Sequence, residues 1–504
     1  MSLSRNLVAA MASSAWTALV GLAVVPLYLK YLGIEAYGLV GFFATTQALL
    51  SLLDLGLAPT MNREVARCSA TGNMKEARNL LHTLAMLYWA MAVFILLLAL
   101  GLAPFVSHYW LQSKHIPQES ITHAVMLMGL VAASRWPVGL YQGVLMGAQR
   151  LTISSGINTA MTTLGSFGAV AILAFFSPTI HAFFIWQAGV GLLYVMTMRH
   201  FAWLIIGKED ARFKSAELKR IWRFSAGVGG TAIAGIILMQ TDKILLSRMV
   251  DLADFGRYML AVMVASGLSV LVTPAFSAVY PRFSALATTG SWDELSRLYR
   301  MGTRLMASFL FPIAFSIAFF AKDLLLAWTG NKSLADITAP LMALLTLGSA
   351  INGIMHFPYA LQLACGLVRL PLFIAVTLMV LLVPMIIFLV FHYGVLGGAA
   401  AWLLLNAIYL PFGAWLTHRH ILAGMGLKWV TQDVAIPMIL SAIIIGAGES
   451  LLSGHVSGHY FRLLCAGGFG IIAMLLCLSL SARPLMSLIA ANYRKSMPYG
   501  ADHD

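Results

Sequence analysis

Pro371-Leu-Phe-Ile-Ala-Val-Thr-Leu-Met-Val-Leu-Leu-Val-Pro-Met-Ile-Ile-Phe-Leu-Val-Phe391 runs for 21 residues without a charge. As a helix it would rise about 31 Å, enough to cross the ~30 Å hydrocarbon core of a bilayer. Similar apolar runs, bounded by charge, Gly or Pro, precede it near 6–30, 36–60, 80–106, 121–147, 152–176, 180–205, 224–248, 255–281, 305–321 and 337–363. Three more follow, near 395–417, 432–452 and 460–481. The pattern predicts an all-α integral membrane protein with about 14 transmembrane helices. The first run is too long for a secretory signal and lacks its small-residue cleavage site, so it reads as a retained span.

The composition agrees. Of 504 residues, 60% are hydrophobic and 10% charged, against about 25% charged in soluble domains. What the spans leave over suffices for short connections, which excludes a sizeable soluble catalytic domain, an appended nucleotide-binding domain and a disordered polymer. Cys68, Cys365, Cys465 and Cys477 are scattered without CxxC spacing, so neither a disulfide framework nor a zinc site is indicated. No Walker P-loop, HExxH or GxSxG occurs. Gly227-Val-Gly-Gly-Thr-Ala232 fits a permissive dinucleotide fingerprint but lies in an apolar span with no strand before it, and reads as packing.

The net charge of +13 would suggest nucleic acid in a soluble chain. The placement of the cations argues otherwise, and no nucleic-acid partner is expected. With a cytoplasmic N-terminus, alternate connections, including 63–78 and 208–223, collect 22 Lys and Arg, while the opposite ones hold 5: Lys30, Lys114, Arg248, Lys322 and Lys332. This asymmetry predicts a cytoplasmic (inner) membrane protein with both termini in the cytoplasm.

An offset of 218 aligns Tyr37-Gly38 with Phe255-Gly256, Thr71-Gly72 with Thr289-Gly290, Glu76 with Glu294 and Tyr141 with Tyr359. Each half then reads as six spans. The expected organisation is a lobe over 1–206, a basic cytoplasmic linker over 207–223, a second lobe over 224–420, and two additional helices with a tail over 421–504. Repeats that each cross an even number of times are parallel, related by a pseudo-two-fold along the membrane normal. Ser291 and Glu294 suggest a capping box. Gly143 with Gly147, and Gly394 with Gly398, suggest close helix packing. Pro26, Pro59, Pro137, Pro274, Pro312, Pro358 and Pro384 are expected to interrupt spans.

Pro26-Leu-Tyr-Leu-Lys-Tyr-Leu-Gly33, Tyr37-Gly38, Leu52-Leu-Asp-Leu-Gly56 and Arg63-Glu64 resemble the opening of Wzx-type polysaccharide flippases. Tyr141-Gln-Gly-Val-Leu-Met-Gly-Ala-Gln-Arg150 resembles the end of that family's fourth span, and Asp242-Lys-Ile-Leu-Leu-Ser247 with Phe255-Gly-Arg-Tyr258 its seventh and eighth. The family sits in a superfamily with multidrug antiporters and the lipid II flippase. The resemblance implies two six-helix lobes around a central cavity, a polyprenyl-pyrophosphate-linked oligosaccharide as substrate, and export to the outer leaflet by alternating access. Implied partners are that lipid-linked oligosaccharide, the lipid bilayer, a coupling proton or sodium ion, and polysaccharide polymerase machinery. No cofactor is expected.

Such a substrate needs cations at membrane depth, where a charge is costly. Arg135, in Ala-Ala-Ser-Arg-Trp-Pro137, is the first candidate for pyrophosphate; the alternative is a purely structural pairing. Asp242 and Lys243 are adjacent, about 100° apart on a helix, and are expected to have separate partners or to face water. Lys30 and its repeat mate Arg248 form an outer cationic ring or interfacial anchors. Asp54, like Asp242, is a candidate for ion coupling; its alternative is neutralising Arg63 or Arg135. His356, Tyr359 and Gln362, at spacings of three, are expected on one face suited to sugar hydroxyls, or simply packed. Two rivals stand beside the flippase: a cation-coupled multidrug antiporter, which would favour acidic cavity residues, and a polyprenol-dependent membrane glycosyltransferase or ligase, which would want a larger outer loop than 107–120 or 322–336.

Overall fold

The structure, a computed structural model, describes residues 3–207, 212–214, 221, 233, 235–456 and 458–496. Most of the basic linker, the start of the expected seventh span and the Gly227–Ala232 stretch lie outside them. Among the described residues the fold is helical without strands, and 12 helical stretches are long and apolar enough to cross a membrane. One of these, Val8–Asp54, holds both of the first two expected spans.

Contacts divide the chain into two compact units, Met1–Met259 and Leu260–Asp504. The first contains α1 (Leu3–Leu50), α2 (Leu57–Thr71), α3 (Met74–Phe105), α4 (Gln118–Arg135), α5 (Val138–Gly147), α6 (Leu151–Phe175), α7 (Ile180–Ile206), α8 (235–249) and the start of α9 (Leu252–Ser266). The second contains the rest of α9, α10 (Ser269–Thr288), α11 (Trp292–Phe319), α12 (Ala321–Thr329), α13 (Lys332–Ile354), α14 (His356–Ala364), α15 (Arg369–Tyr393), α16 (Val395–His420), α17 (Gly426–Lys428), a π-helical turn over Trp429–Ala435, α18 (Ile436–Leu452) and α19 (His459–Ser496).

Shifted by 218 residues, the first residues of α3 and α5 become those of α11 and α14, and both ends of α6 become those of α15. The internal repeat is therefore a repeat of helix boundaries. The glycines that disclose it are required by close approach. A Cβ on Gly38 would stand 2.3 Å from the Leu252 carbonyl oxygen, and one on Gly256 2.4 Å from that of Ile34. The two chain segments cross backbone to backbone there. Just before this crossing α1 bends at Gly33, whose φ of 80° is open to glycine.

Buried Met61, Leu80, Leu84, Tyr141, Val144 and Met198 centre the core of the first unit. Phe283, Tyr299, Leu310, Phe311, Phe357 and Trp429 centre that of the second. Gly143 and Gly147 pack as expected, with ideal Cβ positions 2.6 and 2.4 Å from the carbonyl oxygens of Ala58 and Asn62 in α2. Gly394 instead terminates α15 at a φ of 57°. The expected capping box does not form, because the Glu294 carboxylate is drawn to Arg282 at 2.8 Å and Ser291 Oγ sits by Thr289 Oγ1. Pro26, Pro274, Pro312 and Pro384 lie within continuous helices, whereas Pro137 stands at a true break between α4 and α5.

Candidate functional site

Arg135 is the last residue of α4. Pro137 has no N–H and its ring crowds the Ala133 carbonyl, which weakens the helix at this point. The Trp136 N–H turns back to that carbonyl at 3.4 Å. From the break, Arg135 Nη2 donates to Gln187 Oε1 on α7 at 2.5 Å, and Gln187 Nε2 donates to the Gly165 carbonyl on α6 at 3.2 Å. Arg135 Nε is buried without an acceptor. Among the described residues the guanidinium has no carboxylate partner; the groups that bear on it electrostatically are the hydroxyls of Tyr28 and Tyr194. A desolvated cation held by neutral groups is incompletely compensated, and an anion that reaches it gains a charge-assisted contact.

Hydroxyls continue away from this centre along α1, α6 and α7. Tyr28 donates to the Ser166 carbonyl at 3.1 Å and Tyr194 to Asn158 Oδ1 at 3.2 Å. Trp16 Nε1 donates to Thr163 Oγ1 at 2.8 Å, and Ser13 Oγ accepts from Asn158 Nδ2 and Thr159 Oγ1 at 3.1 and 3.0 Å. Sequence reasoning does not single out these residues. The signal is present in the recurrence of Thr152, Ser154, Ser155, Asn158, Thr159, Thr162, Thr163 and Ser166 inside one apolar run.

The second repeat makes a neutral version of the Arg135 clamp. Asn352, near the end of α13, donates from Nδ2 to Asn406 Oδ1 on α16 at 2.9 Å, and Asn406 Nδ2 donates to the Trp402 carbonyl at 2.8 Å. Helix pairs that correspond in the repeat are thus tied at the same level, and only the first tie carries a charge.

Other anticipated residues fall elsewhere. Asp242 and Lys243 pair with each other, contrary to expectation: Lys243 Nζ lies 2.9 Å from Asp242 Oδ1 and also donates to the Met239 carbonyl at 2.8 Å. The lysine stem is long enough to curl back over its own helix, which cancels the 100° separation. Asp242 additionally accepts from Tyr258 Oη at 2.5 Å. Lys30 and Arg248 are exposed, and Lys30 Nζ sits 5.6 Å from the centre of the Tyr31 ring. Asp54 accepts from Tyr88 Oη and from the Ala58 N–H at 3.3 Å, capping the start of α2. It forms no ion pair with Arg63 or Arg135 among the described contacts.

His356 and Tyr359 both meet the Phe276 ring, but Gln362 leaves that face. Gln362 is buried and donates to Thr417 Oγ1 at 2.6 Å, Tyr359 stacks on Phe276, and His356 Nδ1 meets the Asn352 carbonyl at 3.2 Å. Six residues carry the helix through about 600°, which leaves Gln362 some 120° away from His356.

A second polar assembly, not anticipated from sequence, joins the connection 111–117 to α1 and to the start of α9. Glu35 accepts from Ser113 Oγ at 2.8 Å and meets His115 Nδ1 at 2.7 Å. Lys114 pairs with Asp251 at 2.7 Å, beside a backbone bond from the Leu252 N–H to the Gln112 carbonyl at 2.8 Å. Burial raises the Asp251 carboxyl, but the Lys114 ammonium and the Asp254 N–H outweigh it and hold it below the usual carboxylate range. The same contact holds Lys114 above the ordinary lysine value. Asp251 therefore contributes stability above the ordinary carboxylate pKa, lost as pH falls through its lowered value. The Lys114 contribution is lost only as pH rises through its raised value. The unfolding temperature of the purified protein is expected to fall on acidification, and less steeply in Asp251→Asn. Parallel pH profiles for the two proteins would mean that the pair contributes nothing.

A family model described as polysaccharide biosynthesis protein matches residues 3–287. The chain belongs to that family. Like it in sequence is a Shigella flexneri protein named as a candidate O-antigen transporter, 20% identical over 427 residues that span 83% of this chain and 98% of that one. Two solved structures share the fold of this polysaccharide biosynthesis protein. The lipid II flippase MurJ, in its inward closed conformation, superposes with a TM-score of 0.73 at 14% identity, covering 94% of this chain and 98% of its own. An inward-facing multidrug resistance MATE family transporter of the MOP superfamily gives 0.65 at 14% identity, covering 83% and 96%. These likenesses establish the expected fold class, that of a multi-span, all-helical membrane protein.

Proposed function

We propose that the protein is a flippase that carries polyprenyl-pyrophosphate-linked oligosaccharide across the cytoplasmic membrane for cell-surface polysaccharide assembly. The observation that carries this reading is Arg135, a guanidinium at membrane depth held by the neutral Gln187 and offered no carboxylate among the described residues. Pyrophosphate supplies what that site lacks, an anion able to accept from a planar fork of donors. Lys243 contributes less than the sequence suggests, because Asp242 already neutralises it. Family membership and the Shigella relative support a polysaccharide substrate. In this reading the repeated lobes are 1–206 and 224–420, both termini face the cytoplasm, and no covalent bond of the substrate changes.

A multidrug antiporter would need a carboxylate free to receive a cationic drug in addition to one for its coupling ion. Asp242 is occupied by Lys243 and Tyr258. Asp54, bonded to Tyr88 and a backbone N–H with no counter-cation among its described contacts, is the carboxylate we assign to proton or sodium coupling. Depletion of the protein tests the reading directly. The lipid-linked repeat unit should accumulate on the inner leaflet while surface polysaccharide falls. Unchanged amounts of both, with export of cationic dyes lost instead, would replace the flippase with the antiporter.

A further inference from the structure

Helices α6 and α15 have the same length and corresponding bounds, yet opposite surfaces. Ser155, Asn158, Thr162 and Thr163 of α6 stand where α15, 218 residues on, has Phe373, Val376, Val380 and Leu381. Those four α15 side chains are exposed, as expected of a helix that faces lipid. Mean hydropathy is 1.4 over the α6 span and 3.0 over that of α15. The repeat fold therefore tolerates a more apolar helix here, in which Thr377 alone retains the hydroxyl of its counterpart, Thr159.

Of the α6 hydroxyls, those of Thr152, Ser155 and Thr159 border a groove of about 520 Å³ between α1 and α6, which Ala12, Ser13, Trp16 and Gly156 also line. Small side chains leave it open where bulky ones would close it. The Trp16 indole is fixed at its nitrogen by Thr163 but remains 41% exposed. The Ser155 hydroxyl has no protein partner among the described hydrogen bonds, although its backbone carbonyl accepts from Ser13 at 3.2 Å. The accessible lining is mostly apolar, interrupted by the hydroxyls of Ser13, Thr152, Ser155 and Thr159. An aromatic platform with hydroxyls beside it matches a pyranose ring, which has one apolar face and a polar rim. From Thr159 to Gly165, the α6 carbonyl tied through Gln187 to Arg135, is six residues, about 9 Å of helix.

We propose that the groove between α1 and α6 is a carbohydrate subsite, in which Trp16 stacks on a sugar ring and Ser155 and Thr159 bond its hydroxyls while Arg135 holds the pyrophosphate. This rests on the flippase reading and deepens it by assigning the glycan its own surface. Gly156 supplies a test, because a Cβ there meets nothing within 4 Å, so the side chain of Gly156→Leu starts in open space and projects into the groove.

The full chain in proteoliposomes would be titrated with two probes: undecaprenyl pyrophosphate, and the same lipid carrying the host's own repeat-unit glycan. The wild type should bind the glycosylated probe roughly tenfold more tightly, the equivalent of one or two net polar contacts. Gly156→Leu and Trp16→Ala should abolish that difference and leave bare-lipid binding unchanged, which also shows that they are folded. Trp16→Phe should restore part of it, and Arg135→Ala should weaken both probes alike. Equal binding of the two probes by the wild type overturns the subsite alone, as does a preference that survives Gly156→Leu. If neither probe binds the wild type, the flippase reading falls and the subsite with it.

Discussion

Transport by Arg135→Ala, measured per molecule of correctly inserted protein, should fall about tenfold to a hundredfold. The basis is the loss of a charged hydrogen-bonding contact to a poorly hydrated anion, worth roughly 1.5–3 kcal/mol. Arg135→Lys should retain part of the activity, since the charge remains but the planar fork does not. Arg135→Glu should abolish it, because the site would then repel the anion. A residue that only ties α4 to α7 through Gln187 would behave differently: all three substitutions would lower the amount of protein in the membrane together, and the survivors would transport normally. Full transport by Arg135→Ala at normal abundance would remove Arg135 from the site.

The largest effect on stability is expected at Asp433, in the second unit. Its side chain is wholly buried on the π-helical turn before α18 and accepts from Arg300 at 2.7 and 3.1 Å and from Arg304, both on α11. Arg300 also donates to Gln432 at 2.9 Å. Removing one partner of a buried ion pair costs about 3–5 kcal/mol when the remaining charge stays buried. The arginines are 26% and 21% exposed, which places Asp433→Asn near the lower end. Two cations would then face each other with no anion between them. Folded yield and thermal midpoint should drop sharply, while the protein that does fold should transport normally. An unchanged midpoint would show that water already compensates these arginines.

Which parts of the molecule are readable in the amino-acid order follows from how local each determinant is. The spans are legible because twenty apolar residues in a row have few other destinations, and the Tyr-Gly and Phe-Gly pairs are legible because backbone contact admits only glycine. Arg135 stands out because a lone charge in a long apolar run is rare. Glu35, His115, Asp251 and Asp433 are not legible, since each takes its meaning from a partner far away in sequence. Asp433 lies 129 and 133 residues from its arginines. The Lys243–Asp242 pair is misread because an angular argument applies to where a side chain leaves the helix, and a lysine reaches well beyond that point. The groove on α1 and α6 is missed because hydroxyls in a membrane helix ordinarily bond their own backbone or a neighbouring helix.

The interruption of α4 by α5 recurs as the interruption of α13 by α14, with Val138 and His356 opening the second segment at corresponding positions. The prolines nearby do not correspond. Pro137 lies one residue before its segment, whereas the counterpart of that position is Met355 and Pro358 enters two residues after its own segment begins. The same imino acid thus stands at two different places beside one shared joint. The joint therefore goes with the position in the repeat and not with the proline, since it is present both where a proline stands just before the second segment and where Met355 takes that place.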